Sequence, residues 1–492
     1  MNVLLVYPQS PETFWSFKHV MRFLGKKAAF PPLGLLTIAA MLPAEWNLRV
    51  VDMNVRDLHD GDIKWADYVM LSAMIVHKDS VREIVARCRA AGKPIIAGGP
   101  LFTTGSSEFP EIEHFVLGEA EHLMPEVVAD MQRRGGAIKK TYQSERRPDL
   151  SLTPIPRWDL IDLRNYVTMS VQFSRGCPFN CEFCDIIIMN GRTPRTKPVP
   201  RLIAELEALR SRGWEDMVFL VDDNFIGNKM RSKELLRAII DWRLATGAKM
   251  GFLTEASVNL ADDAELRDLM VCAGFKKVFV GLETPSVESL QECQKVQNTK
   301  KDLTEAVKVI QRSGMEVLGG FIVGFDNDRS DIFQQQFQFV QRSGVVVAMV
   351  GLLTALPGTQ LHKRLQREGR MEAGSTGNNT QAELNFTPKL DREFLIDGYR
   401  ALMHSLYEPR HYYARIRTFL DSYQPRGPIM RTSRSDLRAF FQSIWLLGIR
   451  SRGRRGYWRL FWSTLIRRPS HFSRAIELAV MGYHFRKIAV QL

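Results

Sequence analysis

Two series of short apolar runs, each run alternating with a helical pattern and the series separated by a polar stretch, constrain this chain more than any other feature. In the first series "NVLLVYP", "LRVVDMN", "YVMLSA", "PIIAGG" and "HFVLG" are brief apolar runs closed by proline, glycine or a polar residue. That is the pattern of strands buried on both faces. Helical patterns at "LGLLTIAAML", "SVREIVARCRAAG" and "EAEHLMPEVVADMQRR" alternate with them. The alternation predicts an α/β, doubly wound (Rossmann-like) parallel sheet over residues 1–135. Residues 136–167, polar and dotted with proline, read as a linker.

The second series occupies residues 168–360, with strands expected at "VTMSVQFS", "MVFLVDD", "MGFLTEAS", "KVFVGLE", "EVLGGFIVGF" and "VVVAMVGLLTALPG". Six such units predict an open, partial (β/α)6 TIM-like barrel, whose chemistry belongs at the C-terminal strand ends. Polar residues recur there: Ser174, Asp222, Asp223, Glu255, Ser257 and Glu283. Residues 361–492 turn helical and are basic and aromatic-rich from 431.

Charge is unevenly placed. Residues 431–492 hold thirteen Lys and Arg against Asp436 and Glu477, so the tail carries most of the net charge of +13. Tryptophans interleave with these arginines, and three readings stay open. The favoured one is a peripheral seat on an anionic lipid surface. Helices packed on the barrel with arginines in water come next, and a grip on nucleic acid is the least favoured. No stretch reaches the roughly 18 apolar residues of a spanning helix, and "MNVLLVYPQSPE" lacks a signal-peptide pattern. A cytoplasmic chain is expected, at most peripheral at the inner membrane face. Cys88, Cys272 and Cys293 are scattered and make no disulfide framework, and Cys272 and Cys293 read as packing residues.

"RGCPFNCEFC" places Cys177, Cys181 and Cys184 within eight positions. Three thiolates wrap an iron–sulfur cluster and leave one iron open, or they bind zinc with a fourth ligand from elsewhere. The pattern Cys177-x-x-x-Cys181-x-Phe183-Cys184, after the first strand of a partial barrel, resembles the radical S-adenosylmethionine (SAM) superfamily. The resemblance implies a [4Fe-4S] cluster on the three cysteines, SAM on its open iron, and reductive cleavage to a 5′-deoxyadenosyl radical. It also implies a low-potential electron donor such as ferredoxin or flavodoxin. Further cofactor contacts follow by resemblance. Phe183 would lie beside the cluster, Asp222 and Asp223 of "VDDNF" would meet the SAM amino group, and Glu255 and Ser257 of "TEAS" would form a polar pair. Glu283 of "VGLET" would take the ribose, and Gly324 of "GGFIVGF" would admit the adenine.

The first domain resembles the cobalamin-binding members of that superfamily through Pro31, Pro32 and Gly34 of "FPPLGLL", Ser72 of "LSAM", Gly98 and Gly99 of "AGGP", and Gly118 and Glu119 of "LGEAE". No Asp-x-His-x-x-Gly follows the first strand, which implies cobalamin without a protein imidazole on cobalt. His77 lies near the corrin in this reading, with loop packing favoured over ligation. The C-terminal extension resembles a domain of unknown function in a subfamily that includes the hopanoid C-2 methylases. Together these imply methylation of an unactivated carbon of a small-molecule or lipid-like substrate, through a 5′-deoxyadenosyl radical and methylcobalamin. The alternative is a radical cyclase of the anaerobic ring-cyclase type. No catalytic residue beyond the cluster is assigned.

Overall fold

A computed structural model of the chain describes residues 1–492 except 134–137, 373, 375, 379, 429, 431 and 432. In the first domain β1 (Asn2–Tyr7), β2 (Asn47–Asp52), β3 (Tyr68–Ser72), β4 (Ile95–Gly98), β5 (His114–Leu117) and β6 (Thr141–Gln143) form one parallel sheet in the order β2-β1-β3-β4-β5-β6. The continuous apolar run of β1 has a direct cause. Leu4 and Val6 enter the core on one face of the sheet, and Val3 and Leu5 enter the core on the other. Strand order reverses at β1, which sets the crevice at the C-terminal strand ends.

The sheet extends beyond the expected boundary, because β6 lies inside the stretch read as a linker. Only Tyr142 of its three residues is buried, so it leaves no apolar run to detect. The stretch that follows it packs back on this domain: the Arg157 N–H donates to the Leu36 carbonyl, and Trp158 is buried.

The second domain has β7 (Met169–Val171), followed by a two-stranded antiparallel ribbon of β8 (Ser174–Arg175) and β9 (Arg195–Thr196) that brackets the cysteine loop. With β7, the strands β10 (Met217–Leu220), β11 (Gly251–Ala256), β12 (Phe275–Glu283), β13 (Glu316–Val323) and β14 (Ala348–Leu352) form a parallel sheet in the order β14-β13-β12-β11-β10-β7. All six expected strands are present. The edge strands β7 and β14 do not pair, so the barrel is open on that side.

C-terminal helices occupy the open side. They span Arg392–Tyr407, Pro409–Ser422, Arg434–Ser443 (continued by a π-helical turn, Ile444–Ile449), Arg454–Arg467 and Phe472–Gln491. The Tyr407 hydroxyl donates to the Ala348 carbonyl at 2.6 Å and accepts its N–H at 3.1 Å, which occupies both groups on the free edge of β14. Buried Arg415 donates to the carbonyls of Val346 and Leu406, between the rings of Tyr407 and Tyr412.

The last helix, Phe472–Gln491, ties the floor of the barrel to the start of the chain. At the floor Arg474 meets buried Glu316 at 3.2 Å, and Lys277 pairs with both Glu316 and Glu477. Further along, His484 Nε2 donates to the carbonyls of Thr13 and Phe14, and Phe485 stacks between Phe14 and Tyr407. Burial holds the His484 imidazole near pKa 4, hence neutral.

Removing one member of a buried ionic cluster strands its partner's charge. Arg474→Met is therefore expected to cost about 3 kcal/mol in urea denaturation, and Glu316→Gln in the same background is expected to recover part of it.

Candidate cofactor and substrate site

The cysteine loop leaves β7 through a fixed turn. Asp222, just past β10, accepts the N–H groups of Phe173 (2.8 Å) and Ser174 (2.9 Å) and the Ser174 hydroxyl (2.6 Å). Its neighbour Asp223 accepts the Gly176 N–H at 2.7 Å and the Asn190 amide at 2.9 Å. Gly176 has φ +99, and a Cβ there would stand 2.9 Å from the carbonyl oxygens of Gly191 and Thr193, so only glycine fits before Cys177.

Beyond this turn two of the three thiols meet side-chain donors. Asn224 Nδ2 lies 3.8 Å from Cys177 Sγ, and Gln297 Nε2 lies 3.7 Å from Cys181 Sγ. Lys295 donates to Glu283 at 2.6 Å and rests over the Phe183 ring. Burial pushes the Cys177 and Cys184 thiols up, and the Lys295 ammonium offsets a small part of that rise. Among the described residues no three acidic, His or Cys side chains converge on a single-ion position. A four-iron cluster takes one thiolate per iron and keeps its ligands apart. Three thiolates ringed by amide donors and one ammonium suit such an anionic group better than a lone zinc.

The other strand-end residues face the same space. Glu255 has no side-chain hydrogen-bond partner among the described residues. Burial, reinforced by the charges of Asp223 and Asp222, pushes its pKa to about 8. Burial, helped by the charge of Asp223, outweighs the three donors on Asp222 and brings it to about 7. The Ser257 N–H donates to Asn224, which links the end of β11 to the cysteine loop. Glu283 sits at a register break of β12 with φ +63, which folds its carboxylate back over Gly281 toward Lys295. The Gly324 N–H donates to Asp328 at 2.8 Å, just past β13.

At the edge of the first domain Pro32 caps the helix Leu33–Ala39 that carries Gly34, with Pro31 accepting the Leu33 N–H. Ser72, Gly34 and Gly99 meet at the C-terminal strand ends. A Cβ on Gly99, with φ +92, would fall 2.8 Å from Ser72 Oγ, and a Cβ on Gly98 would fall 3.1 Å from the Val116 carbonyl. Gly118 opens on free space, and Met74 at the same edge is exposed. Close backbone beside an apolar side chain fits a flat corrin.

His77 takes the favoured role in loop packing, and Glu119 is held by arginines. His77 is buried, accepting the Met74 N–H on Nδ1 and donating from Nε2 to Ser10, so neither nitrogen is free for cobalt. Glu119 has both oxygens on Arg175 and Arg195, and Arg175 also binds Glu121 at 2.6 Å. This network joins the first domain to the residue two positions before Cys177. The sequence reading missed His122 beside it, whose two ring nitrogens are buried without a partner among the described residues.

It also missed the lumen. Phe279 is the register partner of Glu255, and Phe219 that of Leu253. Trp15, from the loop after β1, packs on Phe219 (6.2 Å, parallel) and Phe279 (5.1 Å), and Phe30 adds a ring 5.5 Å from Phe219. A cage of aromatic rings therefore lies at and just below the layer of Glu255. Nothing local in "PETFWSF" signals this, because the contact spans two domains.

Comparison with known proteins agrees with this geometry. Residues 27–128 match the B12 binding domain, 171–335 the radical SAM superfamily, and 359–492 the domain of unknown function DUF4070. The chain is 40% identical to an uncharacterized methyltransferase of Synechocystis, over 99% of this chain and 91% of that one. It is 32% identical to the hopanoid C-2 methylase of Rhodopseudomonas palustris, over 98% and 92%. Its fold matches the solved radical SAM methyltransferase TsrM of Kitasatospora setae, with TM-score 0.60 and 15% identity over 98% and 99% of the two chains. The chain belongs to the cobalamin-binding radical SAM methyltransferases, enzymes that act with a [4Fe-4S] cluster, SAM and cobalamin on a small-molecule substrate. No helix among the described residues is long and apolar enough to cross a membrane.

Asp222 and Glu255 have pKa values raised above 3.8 and 4.5. The fold thus keeps protons that the unfolded chain releases, so stability falls as pH rises from the unfolded pKa values and levels off above about 7 and 8. The cofactor-free chain is expected to lose melting temperature between about pH 4 and 8, and Glu255→Gln is expected to flatten that slope.

Proposed function

We propose that this enzyme methylates an unactivated carbon of a bulky, apolar, lipid-like acceptor held in the aromatic cage around Trp15. The carrying observation is the position of that cage, with apolar rings directly beneath the polar strand ends and against the first domain. In this reading Cys177, Cys181 and Cys184 hold the cluster, with Phe183 beside it. Asp223, Glu255, Ser257, Glu283 and Gly324 hold SAM, and the Glu255 carboxyl ionises on meeting the SAM ammonium. Pro31, Pro32, Gly34, Ser72, Gly98, Gly99 and Gly118 form the corrin cradle. Asp222, Glu119 and His77 act as positioning residues that fix the cysteine turn, the domain junction and the cradle loop.

The bound cofactors supply hydrogen abstraction and a methyl donor. The chain's own residues seat the acceptor, orient it and keep water out. An electron from a ferredoxin or flavodoxin and a cytoplasmic setting at a membrane face, where apolar acceptors reside, complete the proposal. The cyclase alternative has the weaker support, because the Synechocystis and Rhodopseudomonas relatives, each matched over nearly the whole chain, are named a methyltransferase and a methylase.

Reconstituted enzyme given methyl-labelled SAM and an apolar cell extract is expected to put label into the extract. Cys181→Ala is expected to abolish both labelling and 5′-deoxyadenosine. Formation of 5′-deoxyadenosine with no label in any product would overturn methyl transfer. Trp15→Ala is expected to raise KM for the acceptor by roughly tenfold, the scale of one lost aromatic contact, with SAM cleavage retained.

A further inference from the structure

The helices Arg434–Ser443 and Arg454–Arg467 present an outer face that the fold leaves uncovered. Leu437, Phe441, Trp445 and Ile449 recur every four residues along the first helix and its π-helical continuation. The wider π turn keeps this spacing from drifting off the face. Trp462 and Ile466 lie one turn apart on the second helix. Trp458 joins the two stripes, donating its indole N–H to the Gly448 carbonyl at 2.9 Å while stacking on Trp462. All six are half or more exposed, Ile466 most of all at 74%. Buried Leu446, Leu447, Leu460 and Phe461 hold the opposite side against the domain, so the exposed six are surplus to packing.

Six arginines from Arg450 to Arg467 surround this face, all exposed. None has an acidic partner among the described residues, although Arg468 next to them pairs with Asp421. A contiguous apolar patch rimmed by unpaired cations has one good complement, a hydrocarbon layer beneath anionic headgroups. Nucleic acid would answer the arginines and stack on the tryptophans, but it offers nothing to Leu437, Ile449 and Ile466. We propose that this face docks the enzyme on an anionic lipid bilayer, with the aromatic and aliphatic side chains seated in the interface and the arginines on headgroup phosphates. The inference rests on the reading of an apolar acceptor at a membrane face. The first of the patch helices, Arg434–Ser443, packs on Lys18–Leu24, the helix that continues the Trp15 loop, so the docking face adjoins the element that lines the cage.

The test is sedimentation of the full-length, reconstituted enzyme with phosphatidylcholine vesicles and with vesicles containing about a third phosphatidylglycerol, the anionic component that engages basic residues. Binding to the anionic vesicles is expected to be at least tenfold stronger, to weaken in high salt, and to shift tryptophan fluorescence to the blue. Phe441→Ser/Trp445→Ser/Ile466→Ser is expected to abolish binding to both vesicles. Arg455→Glu/Arg459→Glu is expected to remove only the anionic preference, and both variants should keep their melting temperature and SAM cleavage. Equal binding by the apolar triple variant, no binding by the parent, or tighter binding to a short RNA than to vesicles would each overturn the proposal. Labelling of a detergent-dispersed apolar extract needs no vesicle, so it reports separately on the acceptor reading.

Discussion

Arg175 is the contact on which the site depends. Its guanidinium spans Glu119 and Glu121 of the first domain, both almost fully withdrawn from water, and its backbone belongs to the turn that delivers Cys177. Charged pairs in such surroundings tolerate little displacement, because any separation leaves an uncompensated charge in a poor dielectric. The relative placement of the two domains, and with it the distance between the cysteine turn and the glycine-lined edge, is held by this residue together with the apolar core that Phe14, Ala28 and Leu36 share with the barrel. Arg195, on the opposite strand of the ribbon, doubles the grip on Glu119.

The division of labour among neighbouring carboxylates follows the same logic. Asp222 and Asp223 are adjacent in sequence, yet one secures the backbone of Phe173 and Ser174 and the other secures Gly176. Together they fix three of the four peptide N–H groups from Phe173 to Gly176 that lead into the loop. Glu255, one strand away, is left without a partner. Two acids are thus satisfied within the fold, while the third, half-buried at the end of β11, keeps its carboxylate for a ligand.

Much of this was legible in the sequence, for physical reasons that can be named. Strands buried on both faces must be apolar at every position, so β1 and the barrel strands stand out as uninterrupted runs. Ligands to one cluster must be close in sequence when a single tight loop carries them, so the cysteines stand out as well. β6 was not legible, because an edge strand of three residues needs only Tyr142 inside. Nor could residue types separate Asp222 from Asp223, reveal that Glu119 answers to arginines, or place Trp15 among rings from another domain. Those outcomes depend on how distant segments are brought together, which no local pattern records.

The contact of His484 with the carbonyls of Thr13 and Phe14 joins segments 470 residues apart in sequence. Whatever shifts the helix Phe472–Gln491 therefore also shifts the loop that carries Trp15, and with it the ring that rests on Phe219 and Phe279. The lumen of the barrel is in this way tied mechanically to a helix that contributes no side chain to it.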